Sequence, residues 1–553
     1  MIETLSELVR HPGAILIFLY FFSYLLKGNF CKYLLISAPV VSFLLMIKIF
    51  NANQMEFFYI SGLLLVLFCG VLFAYTAQIR DKDNARLALL YVGAGISVII
   101  SSNLFVIFTL FEVMLIAATF MIFNGGNKLS FNAGAAYFKL HIFAGVLFLI
   151  GTITHYSLYG NFILLDHNFL DFTVSDKQIL NYTILAALLI NVASPPFSYW
   201  LVEGYSATTP SGSVFLSVVT TKISLIILMK LFLGLNCLIY IGIFIGIYGL
   251  IYAALESNMR RIINYGIISQ IGVILIAIGI GERKISEYMI ITEILYIALA
   301  MMCVGSIILS LRVKRYFQIP INTKFSSVLI VCSIIAFASI SAVPFTPGYV
   351  SKYLLYKSSF VVSHPWLGYG ISALTAGTAF AVGIKLPVFV FMKKFYHKTK
   401  DEGKLYVMTS LRAISLKILA LSVMMFGIFP EIVLGNKIEM FDSIFFNQTS
   451  LLLGVLASFF LLGKFLVVRA KDTLLDFDWL YRFLLGRVYS YFKKCILYIN
   501  NKIFLEWQGP FGSGVKDLMG YYFGTKGIFV SINYQRNVVL MLLFIVLVML
   551  LRF

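Results

Sequence analysis

The feature that most constrains this chain is a succession of apolar segments, each about as long as a bilayer is thick. A transmembrane helix needs roughly 20 apolar residues to cross the hydrocarbon core. Hydrophobic residues make up 60% of the 553 positions and charged residues only 12%, which excludes an ordinary soluble domain. We therefore predict an all-α polytopic membrane protein with about 14–16 transmembrane helices. The predicted spans are 14–26, 31–50, 57–77, 86–101, 103–123, 132–155, 178–200, 212–234, 236–257, 262–282, 286–311, 325–360, 366–391, 409–430, 449–468 and 537–552.

The loops between these spans carry an ordered pattern of charge. The formal net charge is +19, and much of the Lys and Arg is concentrated in loops that lie on one side of the predicted membrane. An excess of Lys and Arg marks the cytoplasmic side, so the pattern indicates topology rather than nucleic-acid binding. It predicts a bacterial inner-membrane protein with a periplasmic N-terminus. The basic loops are 78–87, 258–261, 312–324 and 392–408, and the acid-leaning loops on the other side are 156–177 and 431–448.

The C-terminal region differs from the rest of the chain. Residues 469–536 mix charged and aromatic side chains without a long apolar run, which is typical of an amphipathic segment at the membrane surface. This segment either lies on the cytoplasmic surface or acts as a lateral strut against another subunit, and 537–552 anchors its end. We expect three regions, namely N-terminal helices in 1–80, a core in 81–430 and the C-terminal helices in 431–553.

The sequence carries no motif for a cofactor or for enzyme chemistry. The six cysteines are scattered without metal-ligand spacing, and no nucleotide-binding or redox motif occurs. We expect no cofactor, no metal site and no active site of the chain's own.

Two lysines follow proline-interrupted segments inside apolar stretches. Lys222 comes after Pro210, and Lys352 comes after Pro344 and Pro347. A charge at membrane depth is energetically unfavourable and usually functional, and broken helices at that depth line wet or protein-filled cavities. Burial can bring a lysine's proton affinity into the range where it exchanges protons near neutral pH. Two such segments in corresponding halves predict two inverted repeats with ion sites at the breaks.

One carboxylate is equally conspicuous. Glu112 lies in the middle of an apolar span with no charged neighbour in sequence, and we expect it to modulate Lys222. Other polar side chains in apolar runs can extend the same path or make structural contacts. They are Lys139, His141, Gln270, Glu293 and Lys385.

Several short motifs, in this order and spacing, resemble one family. It comprises the large subunits of Mrp-type Na+/H+ antiporters and the proton-pumping membrane subunits of respiratory complex I. The resemblance covers about residues 60–430. The motifs are Phe111-Glu112, Pro196-Phe197-Ser198-Tyr199-Trp200-Leu201, Ala207 to Lys222, Asn258 to Tyr265 with Ser269-Gln270-Ile271-Gly272, Gly348-Tyr349-Val350-Ser351-Lys352, and Gly383-Ile384-Lys385-Leu386-Pro387.

The resemblance implies roles for these residues and also shows departures. It implies that Glu112 modulates a lysine in a first half-channel, that Lys222 is a central lysine, and that Lys352 ends the second half-channel. The family usually has a lysine where this chain has Asn191, so a pairing of Glu112 with Lys222 is our substitute. A later histidine and lysine correspond to Glu293 and Ile297, which alters the expected water path.

The sequence thus predicts a subunit of an Mrp D-like Na+/H+ antiporter that conducts protons alongside other membrane subunits. One alternative is a proton-pumping subunit of complex I (NADH-quinone oxidoreductase) or a related hydrogenase. Another alternative is a scaffold subunit that has lost transport.

Overall fold

The structure, a computed structural model, describes residues 11–26, 28–49, 55–163, 175–320, 322–392, 408–435 and 442–462. Over these residues it is all-α, and its only β-structure is two isolated β-bridges. The predicted amphipathic segment 469–536 and the anchor 537–552 lie outside the described residues.

The helices follow the predicted apolar segments closely. Twelve helical stretches of the described part are long and apolar enough to cross a membrane, and Pro12–Ser23 and Ser327–Ile340 are shorter apolar helices. The helices up to the first lysine are α1 (Pro12–Ser23), α2 (Asn29–Ile49), α3 (Met55–Ala74), α4 (Ile79–Ile100), α5 (Leu104–Phe123), α6 (Lys128–Tyr159), α7 (Ser175–Asn191), α8 (Tyr199–Ala207), α9 (Pro210–Val218) and α10 (Thr220–Phe232). The later helices are α11 (Cys237–Leu255), α12 (Met259–Ile280), α13 (Arg283–Leu311), α14 (Ser327–Ile340), α15 (Pro347–Lys357), α16 (Ser359–Ser363), α17 (Pro365–Thr378), which a π-helical turn (Ala379–Ile384) joins to α18 (Lys385–Phe391), then α19 (Ser410–Ile428), α20 (Glu431–Leu434) and α21 (Ser443–Leu462).

Local sequence explains where several of these helices begin. Asn103 caps α5, because its side-chain oxygen accepts from the amides of Phe105 (2.9 Å) and Val106 (3.2 Å). Proline stands at the first position of α9 and of α15, where its missing N–H leaves no helical hydrogen bond unmade. Pro210, expected to break a helix, therefore starts one.

The core is built around α12, whose apolar stretch is buried along its whole length. Glycines let α11 approach it closely, since a Cβ at Gly272 would collide with the carbonyl oxygen of Gly242. Small residues at such contacts are typical of helix packing in membranes, where dispersion contacts and hydrogen bonds replace the hydrophobic effect.

The two broken helices end in the same way. Ala193 follows α7 and Ala342 follows α14, both in the left-handed region with φ of 59° and 57°. At each end the alanine amide donates to the carbonyl three residues back, and the next amide donates to the carbonyl five back. This is the Schellman helix ending. Both halves therefore contain a broken helix, and the matched positions are Ala193 and Ala342 rather than Pro210 and Pro347.

The basic segments of the described chain meet at one end of the helix bundle. The amide of Met259 donates to the carbonyl of Lys314 (3.0 Å), which joins two of the predicted basic loops. The Arg80 side chain lies against Gly126 at the turn between α5 and α6. Residues 79–87, predicted as a loop, form the first turns of α4.

Candidate functional site

Two charged side chains from two helices form an ion pair inside the bundle, and a third charged side chain is buried on another helix. Lys222 of α10 donates from Nζ to Glu293 Oε1 of α13 at 2.8 Å, and both side chains are fully buried. Lys352 of α15 is also buried, but it is not within ion-pair distance of Glu293. We call Lys222, Glu293 and Lys352 the central ion cluster.

The central ion cluster has one carboxylate for two lysines. Within the described part of the chain, neither Glu293 Oε2 nor Lys352 Nζ has a hydrogen-bond partner. An unmet polar group in a dry interior is strongly unfavourable, so this arrangement is not an ordinary satisfied ion pair.

Glu293 replaces Glu112 as the partner of Lys222. The sequence predicts a pairing of Lys222 with Glu112, and the structure corrects that pairing. Glu112 is only partly buried and makes no hydrogen bond or ion pair with the described residues. Its carboxylate instead lies against Gly145 of α6, where a Cβ would collide with Glu112 Oε1.

Glu112 lines a cavity of about 20 Å³, here named the Glu112 cavity. Aromatic and apolar side chains form most of its wall, together with a few polar groups. The cavity is lined by Phe108, Phe111, Glu112, Met114, Leu115, Tyr137, His141, Ala144, Gly145, Phe148, Asn191 and Thr220.

The helix that carries Lys222 also contributes a hydroxyl group to the wall of the cavity. Thr220 lines the cavity and opens α10, the helix that carries Lys222. Its Oγ1 is hydrogen-bonded to the hydroxyls of Tyr91 (2.5 Å) and Tyr137 (3.1 Å). These hydroxyl groups can both donate and accept hydrogen bonds.

The remaining predicted path residues lie in different surroundings. Gln270 is buried, and its Nε2 donates to the carbonyl of Ile340 at the end of α14 (3.4 Å), so it contacts the second helix break. Lys385 donates to the carbonyls of Ala253 and Glu256 at 3.0 and 2.7 Å, and it therefore caps the end of α11.

Lys139 lies on the outer face of α6, exposed in this chain. Its position gives no support to a place in a path enclosed by this chain, and its role remains a prediction. Ile297 is buried on α13, the helix that carries Glu293.

Sequence reasoning missed two charged residues that hold the interruption between α8 and α9. Arg260, interpreted as a topology residue, is buried and donates to the carbonyl of Thr208 at 2.8 Å. Asp81 accepts from the amide (2.9 Å) and hydroxyl (2.6 Å) of Ser211. A cation at the end of one helix and an anion at the start of the next complement both helix dipoles. The position of Arg260 inside a quoted family motif was a usable signal, whereas Asp81 offered none.

Comparison with known proteins agrees with this architecture. Residues 101–378, half of the chain, match the family described as NADH:quinone oxidoreductase/Mrp antiporter, TM. The chain belongs to this family. The resemblance inferred from the sequence motifs is therefore confirmed.

Individual relatives come from both branches of the family. The chain is 23% identical over 345 residues to the D subunit of the Na(+)/H(+) antiporter of Alkalihalophilus pseudofirmus, covering 59% of this chain and 67% of that protein. It is 23% identical over 320 residues to the corresponding antiporter protein of Bacillus subtilis, covering 54% and 64%. It is also 30% identical over 200 residues to NADH-ubiquinone oxidoreductase chain 5 of Artemia franciscana, covering 33% and 36%. The match thus spans about two thirds of the antiporter subunits and about a third of the oxidoreductase chain.

Solved structures show the same fold. A chain of the Mrp complex from Dietzia sp. DQ12-45-1b matches with a TM-score of 0.62 at 15% identity, covering 84% of this chain and 96% of that one. A chain of respiratory complex I from Thermus thermophilus matches with a TM-score of 0.63 at 14% identity, covering 77% and 98%.

Proposed function

We propose that this chain is a proton-conducting membrane subunit of a multisubunit Na+/H+ antiporter. The observation that carries the proposal is the central ion cluster, which holds three ionisable side chains on three helices inside the bundle. Ionisable groups at membrane depth that face one another are typical of proton and ion paths.

The geometry suggests how the two lysines are coupled. Glu293 holds Lys222 by a hydrogen bond and has a second, unpartnered oxygen among the described residues. When Lys222 releases its proton, the ammonium of Lys352 becomes the remaining counter-charge for Glu293. Strongly interacting sites titrate as a unit, so proton loss at one lysine favours proton retention at the other.

The alternatives differ from an antiporter in what they require of the assembly and of the central ion cluster. Relatives of both kinds cover similar shares of this chain, so coverage does not separate an antiporter subunit from an oxidoreductase subunit. A pumping subunit of complex I or a related hydrogenase would use the same ion cluster, with redox chemistry in other subunits. A scaffold that has lost transport does not require a buried lysine such as Lys352, which has no hydrogen-bond partner among the described residues, in addition to the Lys222–Glu293 pair.

We assign the chain to a bacterial inner membrane, beside other membrane subunits of the assembly. The end where 258–261 meets 312–316 is rich in Lys and Arg, so we place it in the cytoplasm and the N-terminus in the periplasm. We take 81–430 as the proton-translocating core, flanked by 1–80 and by 431–553.

The test is proton movement in inverted membrane vesicles that carry the whole assembly, measured with and without added Na+. Wild type and Lys222→Met are compared, and Lys230→Met is the matched control. Lys230 lies on the same helix but at its end, where Nζ donates to the carbonyl of Ile99.

We expect Na+-linked proton movement in wild type and in Lys230→Met, and its loss in Lys222→Met. Proton movement driven by a reductant and independent of Na+ would favour the oxidoreductase alternative. Unchanged Na+-linked movement in Lys222→Met would favour the scaffold.

A further inference from the structure

The Glu112 cavity contains hydrogen-bond acceptors without matching donors. His141 Nδ1 lies 3.0 Å from the carbonyl oxygen of Tyr137, which can only accept, so Nδ1 carries the proton. In the neutral ring, Nε2 is then an acceptor, and it is buried without a partner among the described residues. The ring cannot easily turn away, because it stacks on Tyr137 (centroids 4.0 Å apart) and meets the edge of Trp200 (4.4 Å).

Asn191 provides a second unmet acceptor. It lines the same cavity, it is 7% exposed, and its Oδ1 has no hydrogen-bond partner in the described part of the chain. Asn191 is also the last residue of α7, where the helix dipole presents its negative end. Ends of broken helices of this kind favour cations in membrane transport sites.

Glu112 provides the negative charge. It is the sole carboxylate among the residues that line the cavity. Lys222, the lysine expected to pair with Glu112, is instead bonded to Glu293. A partly buried carboxylate beside two neutral acceptors has no counter-charge from the described residues. Either a cation or a bound proton must supply it.

We propose that the Glu112 cavity binds a monovalent alkali cation. Glu112 would provide the charge, and Asn191 Oδ1 and His141 Nε2 would complete the coordination. A single carboxylate matches a single positive charge, and carboxylate and amide oxygens suit hard cations. Among the described residues no group of three or more His, Cys, Asp or Glu side chains is placed to hold a metal, which disfavours a transition-metal site.

The choice of Na+ as the cation rests on the proposed antiport function. The cavity and its hydrogen-bond acceptors are observed independently of that proposal. The rival occupant is a proton on Glu112, whose O–H then donates to one of the two acceptors. These occupants differ in one property, because only the cation site binds Na+ in a saturable manner.

The experiment is equilibrium binding of radioactive Na+ to the purified full-length chain in lipid nanodiscs, with K+ and Li+ as competitors. Wild type is compared with Glu112→Gln and Asn191→Leu. Glu56→Gln is the control for loss of a carboxylate outside the cavity, since Glu56 faces Lys230 at 3.9 Å. Asn181→Leu is the control for a buried asparagine on α7 that does not line the cavity.

We expect saturable Na+ binding in wild type and in both controls. Glu112→Gln should abolish it, and Asn191→Leu should weaken it by about tenfold or more, because one ligand is lost. Displacement of bound Na+ by K+ or Li+ would show that the same site accepts other alkali cations.

Wild-type protein without saturable Na+ binding overturns the proposal and favours a protonated Glu112. Binding that survives Glu112→Gln overturns the location. In either case the proton measurements on Lys222→Met remain a separate test, so failure of this site and failure of the proposed function are distinguishable.

Discussion

The central ion cluster and the Glu112 cavity solve the problem of buried charge in opposite ways. In the cluster, Glu293 of α13 neutralises Lys222 of α10 through a 2.8 Å hydrogen bond, and the protein supplies both charges. In the cavity, Glu112 has acceptors for neighbours and no internal cation among the described residues. This difference underlies the two proposals, namely proton movement between fixed groups at the cluster and a counter-ion from outside in the cavity.

The largest expected effect is a difference in the free energy of unfolding between variants of Glu293 and variants of Glu112. Glu293→Ala should lower the free energy of unfolding by about 3–5 kcal/mol, because it leaves Lys222 buried without its partner. Glu112→Ala should change it by less than about 1 kcal/mol, since it breaks no ion pair. Denaturant unfolding of the purified chain measures both, and equal losses would break the comparison.

The two lysines of the cluster should also differ from each other. Lys222→Met should lower the free energy of unfolding by about 1–3 kcal/mol, because Glu293 loses its hydrogen-bonded partner. Lys352→Met removes an ammonium without a hydrogen-bond partner in the described chain, so stability should stay within about 0.5 kcal/mol or rise. Both variants should lose proton movement. A Lys352→Met protein that unfolds more easily than Lys222→Met would show that Lys352 has the better partner.

Removing a buried charge that has partners should also be destabilising at the interruption between α8 and α9. Arg260→Met should lower the free energy of unfolding by about 1–3 kcal/mol, since buried carbonyls lose a charged donor. Its neighbour Arg261 is partly exposed and pairs with Glu203 and Glu256, so Arg261→Met should remove no more than about 1 kcal/mol. Thermal unfolding of the two variants shows which one is less stable. An Arg261→Met protein that is less stable than Arg260→Met would show that burial does not decide how much each arginine contributes to stability.

The smallest effect tests whether the two broken helices are equivalent. An alanine in the left-handed region is strained by roughly 1–2 kcal/mol. Glycine removes that strain but adds about 0.5–1 kcal/mol of backbone entropy to the unfolded state. Ala193→Gly and Ala342→Gly should therefore each raise the free energy of unfolding by up to about 1 kcal/mol. A gain at one position and a loss at the other would mean that the two helix ends are held differently.

Sequence patterns predicted the helices well, because a bilayer demands long apolar segments whatever their partners are. They also identified Lys222 and Lys352, since a charge inside an apolar run is visible in a single segment. The pairing of Lys222 with Glu293 was not predictable, because the two residues are 71 positions apart and their contact depends on how α10 and α13 pack. Lys139 and Lys385 illustrate the same limit. Both are lysines in apolar runs, yet one lies on an outer face and the other caps a helix.

The measurement that tests the central claim most directly is proton flux through the whole assembly in reconstituted vesicles, with Glu293→Gln compared with Glu287→Gln. Both residues are buried glutamates of α13, but Glu287 pairs with Arg283 near the start of the helix, at 3.1 Å. We predict that Glu293→Gln loses proton flux and that Glu287→Gln retains it. Wild-type flux in Glu293→Gln would contradict the account, because protons would then cross without the only carboxylate of the central ion cluster.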